Sequence, residues 1–243
     1  MMEQELLDKT ESHTLSSGDE TPSVPRQGLG VLHLFIKSPR GGSDREGTIG
    51  VCKRAEAAGY QVIAFAVLGH KADAGFMVLG PDLWRLRQFQ SELSALGYEF
   101  TYSYFSITEV SEYAASLSEG RKRPRLYPKL PPADKTAICF YPMSKARGEV
   151  NNWYSLKYEE RERLMLEHGV SGRKFSDRVT QLVTGSTGLD DYEWGVTLFA
   201  ERPDDLKEVV YTMRFDEAST LYGIFGPFYS GLIGSVEDVL GLL

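Results

Sequence analysis

The stretch Tyr60–Val110, YQVIAFAVLGHKADAGFMVLGPDLWRLRQFQSELSALGYEFTYSYFSITEV, decides the fold. Tyr60–Ala66 is a β-rich run and Gly75–Leu79 a second, shorter one. From Pro81 to Leu96, residues Leu83, Trp84, Leu86, Phe89, Leu93 and Leu96 fall at helical spacing, with Pro81 at the start and Gly97 at the end. Tyr98–Val110 alternates aromatic and polar residues with the period of a strand. Upstream, Gly30–Ile36 reads as a strand and about Ser43–Ala58 as a helix ended by Gly59. From Gly28 to Val110 the order is therefore β-α-β-β-α-β, the split βαβ unit of ferredoxin-like folds.

The second half repeats the pattern. Ala137–Met143 is a strand, Lys157–His168 a helix, and Arg178–Thr184 and Tyr192–Ala200 are strands. Pro203–Met213 is a helix with Leu206, Val209, Val210 and Met213 on one face. Phe215–Tyr222 adds a short helical piece, and Gly223–Tyr229 returns as a strand. Two units of the same order, without letter-by-letter similarity, form a structural repeat whose sheets bury their apolar faces against each other. The expected class is α+β: two ferredoxin-like βαββαβ halves packed as a dimeric α+β barrel. The expected divisions are a flexible acidic tail over 1–27, a first unit over 28–110, a basic and Pro-rich linker over 111–136, and a second unit over 137–243.

Composition narrows the function. With 42% hydrophobic and 25% charged residues, the 243-residue chain has an ordinary globular balance. It lacks the run of about 20 apolar residues that spans a membrane, and its start is not patterned as a secretory signal. A net charge of −7 argues against general nucleic-acid binding. Cys52 and Cys139 lie far apart in apolar runs, and read as buried free thiols of a reducing compartment such as the cytoplasm. The patterns CxxCH, HExxH, GxxxxGK[ST] and GxSxG are absent, as is GxGxxG with a following acid.

Two side chains carry the sharpest chemistry. His168 precedes Gly169, so it can act as a favourable cation at a helix C-terminus. Leu164 and Met165 share its helix face, which is also the setting of an axial haem ligand. Tyr141 follows the apolar run Ala137–Phe140 and can be a packing residue or a redox-active phenol. Pro142 and Met143 are expected to interrupt the strand, letting Lys145 curl back toward that phenol as a proton donor. The basic run Arg121–Arg125 can be a solvated loop or can pair with substrate carboxylates, which suit the planar Arg fork.

A resemblance turns these options into roles. The motifs are Tyr141-Pro142-Met143-Ser144-Lys145, Asn152-Trp153-Tyr154, His168-Gly169, Gly172-Arg173, Thr184-Gly185-Ser186, the run Asp190–Phe199 (DDYEWGVTLF) and Met213-Arg214-Phe215-Asp216-Glu217. In them the chain resembles the coproheme decarboxylases, hydrogen-peroxide-dependent haem synthases of the chlorite dismutase superfamily. The similarity runs from about Arg123 to Gly231 and is weaker in the first unit. It implies that coproheme III is bound in the C-terminal half, with His168 as axial iron ligand, Tyr141 as catalytic tyrosine and Lys145 assisting proton transfer. It places Gln181 on the distal side and Met143 beside the reactive propionate. Ser144, Arg125, Arg173, Arg214 and Ser219 fall at propionate-binding or pocket-lining positions. A homopentamer and a transient contact with ferrochelatase are implied as well.

Chlorite dismutases carry an arginine where this chain has Gln181, and a neutral amide stabilises anionic oxygen less well. They also pair the proximal histidine with an acid. Ala218 stands at the matching place, next to Glu217, so that partner is not carried over to this chain and the hydrogen-bond partner of His168 is left open; a histidine without a carboxylate partner would be a weaker donor to iron. The expected reaction oxidises Tyr141, which takes a hydrogen atom from a propionate; loss of CO2 leaves a vinyl, and two rounds give haem b. The alternatives are a haem carrier or sensor without turnover, and a chlorite dismutase-like or peroxidase enzyme.

Overall fold

The computed structural model describes residues 21–39 and 41–243. Most of the expected acidic tail, residues 1–20, lies outside the described residues. The first unit comprises β1 (Gly30–Lys37), α1 (Arg45–Ala57), β2 (Gln61–Val67), β3 (Ala74–Gly80), α2 (Leu83–Ala95) and β4 (Glu99–Thr108). Its strands pair in the order β4-β1-β3-β2, every neighbour antiparallel. A connecting region holds α3 (Glu119–Leu126). The second unit comprises β5 (Ala137–Lys145), α4 (Tyr158–Arg173), β6 (Val179–Gly185), β7 (Trp194–Ala200), α5 (Pro203–Met213), α6 (Glu217–Thr220), β8 (Gly223–Phe225) and β9 (Tyr229–Gly234), followed by α7 (Val236–Gly241).

Its order, β6-β7-β5-β9, mirrors that of the first unit. The seams are β2–β9 and β4–β6, and the β5–β7 ladder joins the ends, so eight strands form a closed ring with β8 extending from β5. Closure covers most strand edges, leaving unpaired the stretches of β4 and β6 beyond their two-pair seam. Strand alternation then sorts side chains into two environments. Val31, Phe35, Ile63, Phe65, Met77, Tyr104, Ile138, Phe140 and Phe199 share one buried cluster inside the ring. Leu32, Leu34 and Ile36 point the other way, toward α1, α2 and α7. On β5, Ala137, Cys139 and Tyr141 face outward to α5, through Leu206 and Val209.

Several expectations need correction. β5 runs unbroken through Pro142 and Met143 to Lys145: Pro142 pairs with Gly195, Met143 with Trp194 and Lys145 with Gly223. α4 does not stop at His168 but continues to Arg173, because Gly169 keeps a helical backbone instead of the positive φ of a helix terminator. The basic run of the linker is helix α3, with Pro124 inside it, rather than a loop. Gly226-Pro227 divides the expected last strand into β8 and β9. The C-terminal helix α7 had no sequence prediction; its Val239 and Leu240 pack into the core of the first unit.

Among the described residues, His33 is the one histidine inside the ring. Its ring stacks on Phe140 at 4.1 Å between centroids, and Nε2 lies 3.0 Å from Thr197 Oγ1. Complete burial lowers its pKa to about 3. Folding therefore favours the neutral ring, and the unfolded chain takes up a proton that the folded chain refuses. This stability is present above pH 6.5 and is lost as pH falls toward 3, at about 1.4 kcal/mol per pH unit. We expect His33→Gln to remove that part of the acid sensitivity. The check is the difference between urea-unfolding free energies of the two proteins at pH 7 and pH 4.5, which should shrink on acidification.

Candidate active site

The outward face of the second unit is only partly covered by α5. On β6, Gln181 and Val183 remain exposed, and across the ladder they meet Leu198 and Val196 of β7, which in turn pair with Cys139 and Tyr141 of β5. Tyr141 is buried, stacked on Phe228 at 4.4 Å and tilted against Phe225 at 5.9 Å. Burial raises the pKa of its phenol, opposed by the charge of Arg214. The Arg214 guanidinium rests 4.4 Å over the Phe225 ring and stays exposed. A cleft of about 330 Å³ opens beside this group, lined by Cys139, Leu206, Val210, Arg214 and Phe228.

His168 projects from the middle of α4. Its Nδ1 lies 3.0 Å from Asp216 Oδ2, and Asp216 Oδ1 accepts from Ser171 Oγ at 2.6 Å. The carboxylate partner that the resemblance left unassigned is Asp216, two residues before Ala218. A carboxylate only accepts, so Nδ1 carries the proton and Nε2 keeps a free lone pair. Burial, and then the Lys145 charge, lower the His168 pKa, while Asp216 raises it; the net direction is down. The ring therefore stays neutral to lower pH than a free histidine, the state that ligates a metal.

Lys145 goes elsewhere than expected. Because β5 is unbroken, its Cα lies about 13 Å along the strand from Tyr141. Its ammonium donates to Ala218 O at 2.9 Å and sits 4.4 Å over Trp153. Burial lowers its pKa to about 8, partly offset by Glu193. Glu193 accepts from Lys145 N at 2.8 Å and pairs with Arg147, and its own N–H reaches Ser144 Oγ at 3.2 Å. Sequence patterning missed Ser171, Asp216, Glu193 and Phe228; Asp216 and Glu193 stood within recognised motifs.

Met143 is half-buried against the Tyr141 cluster. Arg173 is exposed and folds back over Gly169, next to His168. Ser219 follows the carbonyl that holds Lys145. Arg125 is exposed on α3, donating to Arg121 O at 2.7 Å, and makes no contact with the Tyr141 or His168 groups.

A model of the chlorite dismutase family matches residues 45–234. The chain belongs to the chlorite dismutase family. Among curated members, it is 46% identical to the coproheme decarboxylase of Staphylococcus carnosus, over 69% of this chain and 70% of that one. It is 43% identical to the coproheme decarboxylase of Staphylococcus saprophyticus, over 73% and 75%. A protein of Natronomonas pharaonis named as heme-binding is 46% identical, but the match spans 30% of that longer protein and 69% of this one. A solved heme-binding protein from Thermus thermophilus superposes with a TM-score of 0.79 at 37% identity, covering 92% of this chain and all of that one. A chlorite dismutase from Candidatus Nitrospira defluvii gives 0.72 at 19%, a likeness of fold.

The residues fit an iron porphyrin. Among the described residues, no three His, Cys, Asp or Glu side chains cluster to hold an ion, so a metal held by His168 would have to bring its other ligands with it, as a porphyrin does. Asp216→Ala frees His168 to rotate and strands the Ser171 hydroxyl. We expect its affinity for ferric porphyrin to fall about 10- to 100-fold, as for other lost partners of metal-bound histidines. Soret titration of the purified variant measures this.

Proposed function

We propose that the chain is a coproheme decarboxylase: it converts the 2- and 4-propionates of coproheme III to vinyls with hydrogen peroxide, giving haem b. The observation that carries this is a buried phenol, Tyr141, on the same side of the second unit as an Asp216-anchored histidine with a free Nε2. The two staphylococcal decarboxylases, each more than 40% identical over most of the chain, support it.

Each round balances as one propionate, one peroxide and one proton giving one vinyl, one CO2 and two waters. When bound, the iron porphyrin supplies the redox chemistry that passes the two electrons to peroxide. His168 would hold the iron through Nε2, with Asp216 fixing the ring and making it a stronger donor. The raised pKa of Tyr141 keeps the phenol protonated, so an electron leaves it only with its proton, as a hydrogen atom. The phenol regains that atom from the propionate carbon chain, which then loses CO2. Arg214, and Arg173 beside His168, would pair with the carboxylates that are not consumed, and Gln181 would face the peroxide from the sheet. Lys145, anchored at Ala218 and close enough to depress the His168 pKa, would tune the proximal side rather than protonate Tyr141 directly. We extend the reading to a cytoplasmic homopentamer that receives coproheme through transient contact with ferrochelatase, with Arg125 meeting a propionate only if α3 moves inward. Among the described residues, no helix is long and apolar enough to cross a membrane.

Purified protein mixed with coproheme and titrated with peroxide should yield a product lighter by two CO2 and four hydrogen atoms, read by mass spectrometry. Tyr141→Phe should bind coproheme within about threefold of wild type and lose decarboxylation by about 10²-fold or more, the scale of deleting a proton-transferring group. Normal turnover by that variant would remove the tyrosine from the mechanism. His168→Ala should abolish the ligated Soret band; an unchanged spectrum would remove the ligand.

A further inference from the structure

We propose that Phe228, carried by a β-bulge of the second unit, is the positioning residue that aims the Tyr141 phenol. The inference rests on the decarboxylase reading, in which Tyr141 exchanges a hydrogen atom with a propionate. Such an exchange demands a near-attack placement of the phenol oxygen. Backbone pairing fixes the face that Tyr141 occupies, but it leaves the ring free to turn about Cβ–Cγ. Among the described residues no hydrogen bond acts on the phenol; burial and the nearby Cys139 and Arg214 groups do. The aim of the ring is therefore left to packing.

β5 pairs with β9 as far as Phe140, opposite Tyr229, and with β8 from Met143, opposite Phe225. Between these pairs two residues, Tyr141 and Pro142, face three, Gly226, Pro227 and Phe228. One extra residue in one strand of an antiparallel pair is a β-bulge, which re-aims side chains. Residues three apart on a regular strand point to opposite faces. Here the extra residue brings Phe225 and Phe228 to the same outer face, both against Tyr141. Phe228 lies over the phenol ring, 4.4 Å away and 23° from parallel, and Phe225 stands at 54° to it. A ring stacked on one face and braced by a second aromatic cannot turn without displacing one of them. The bulge is itself pinned. Gly226 N donates to Pro142 O at 2.8 Å, and a Cβ at Gly226 would meet Pro142 and Tyr192 at 2.7 Å. From the first unit, the exposed Lys71 between β2 and β3 donates to Phe228 O at 2.7 Å. The first unit thus holds the residue that clamps the phenol of the second.

Ring motion in the ligand-free protein tests the clamp. With tyrosine labelled at both ε carbons, wild-type Tyr141 should give two NMR signals, assigned by their loss in Tyr141→Phe. Phe228→Leu should merge them into one, and Phe228→Tyr, which keeps the flat ring face, should restore the pair. A single averaged signal in wild type, or an unmerged pair in Phe228→Leu, overturns the proposal. With coproheme bound, Phe228→Leu should lower the decarboxylation rate about 10- to 100-fold while coproheme affinity stays within about threefold, and Phe228→Tyr should recover most of the rate. Deuteration of the propionate methylenes should slow Phe228→Leu by a larger factor than wild type, because hydrogen-atom exchange becomes limiting. Should Phe228→Leu not fold, Phe225→Leu, which removes the other brace, carries the same tests. An undiminished rate in the folded variant, with wild type still releasing CO2, sinks this role alone. Wild type that binds coproheme but releases no CO2 sinks the decarboxylase reading and this role with it.

Discussion

Strand β5 serves two cores at once, and the rest of the molecule depends on that. Its ladder with β7 closes the ring, and its ladder with β9 connects the second unit to the first through β2. Ile138 and Phe140 fill the interior, while Ala137, Cys139 and Tyr141 line the outer face. A slip of one residue would exchange these sets, driving the phenol inside and a phenylalanine into the cleft. The two ladders forbid that slip, so the position of Tyr141 is fixed by backbone pairing rather than by contacts of its own side chain.

The opposite wall is held by polar contacts. Asp216 binds His168 and Ser171 together, and Lys145 bonds the Ala218 carbonyl two residues on. One short segment, α6 and the residue before it, thereby anchors both His168 and Lys145. Arg163, which bridges Glu160 of α4 and Glu217 of α6, ties the same segment down from the surface. Exposed pairs of this kind contribute little stability singly, yet they restrict how far α6 can drift from α4.

The strands and most helices were legible because period-2 and helical spacings survive in a sequence that buries two faces. The family motifs brought out His168 and Tyr141 for the same local reason. The length of α4 was not legible: Gly169 costs only about 1 kcal/mol within a helix, and packing of Leu164 and anchoring of Ser171 outweigh it. Asp216 was hidden by its sequence separation of 48 from His168. Lys145 was misplaced because Pro142 looks like a strand breaker, whereas here it sits in the β5–β7 ladder and its carbonyl accepts from Gly226 N. Side-chain destinations of this sort are decided by tertiary neighbours, which spacing along the chain does not encode.

The two seams between the units are unequal. β2 and β9 share four register pairs, β4 and β6 only two. Where the ladder is short, side chains take over: Thr184 bonds Ser106 at 2.8 Å, Tyr104 bonds Ser186, and Asp190 accepts from Phe105 N at 2.8 Å. Hydroxyl bonds of this kind are strong while dry and readily traded for bonds to water. The short seam is therefore a humidity-sensitive latch. Wetting it would open the ring at this seam before the longer β2–β9 seam gave way.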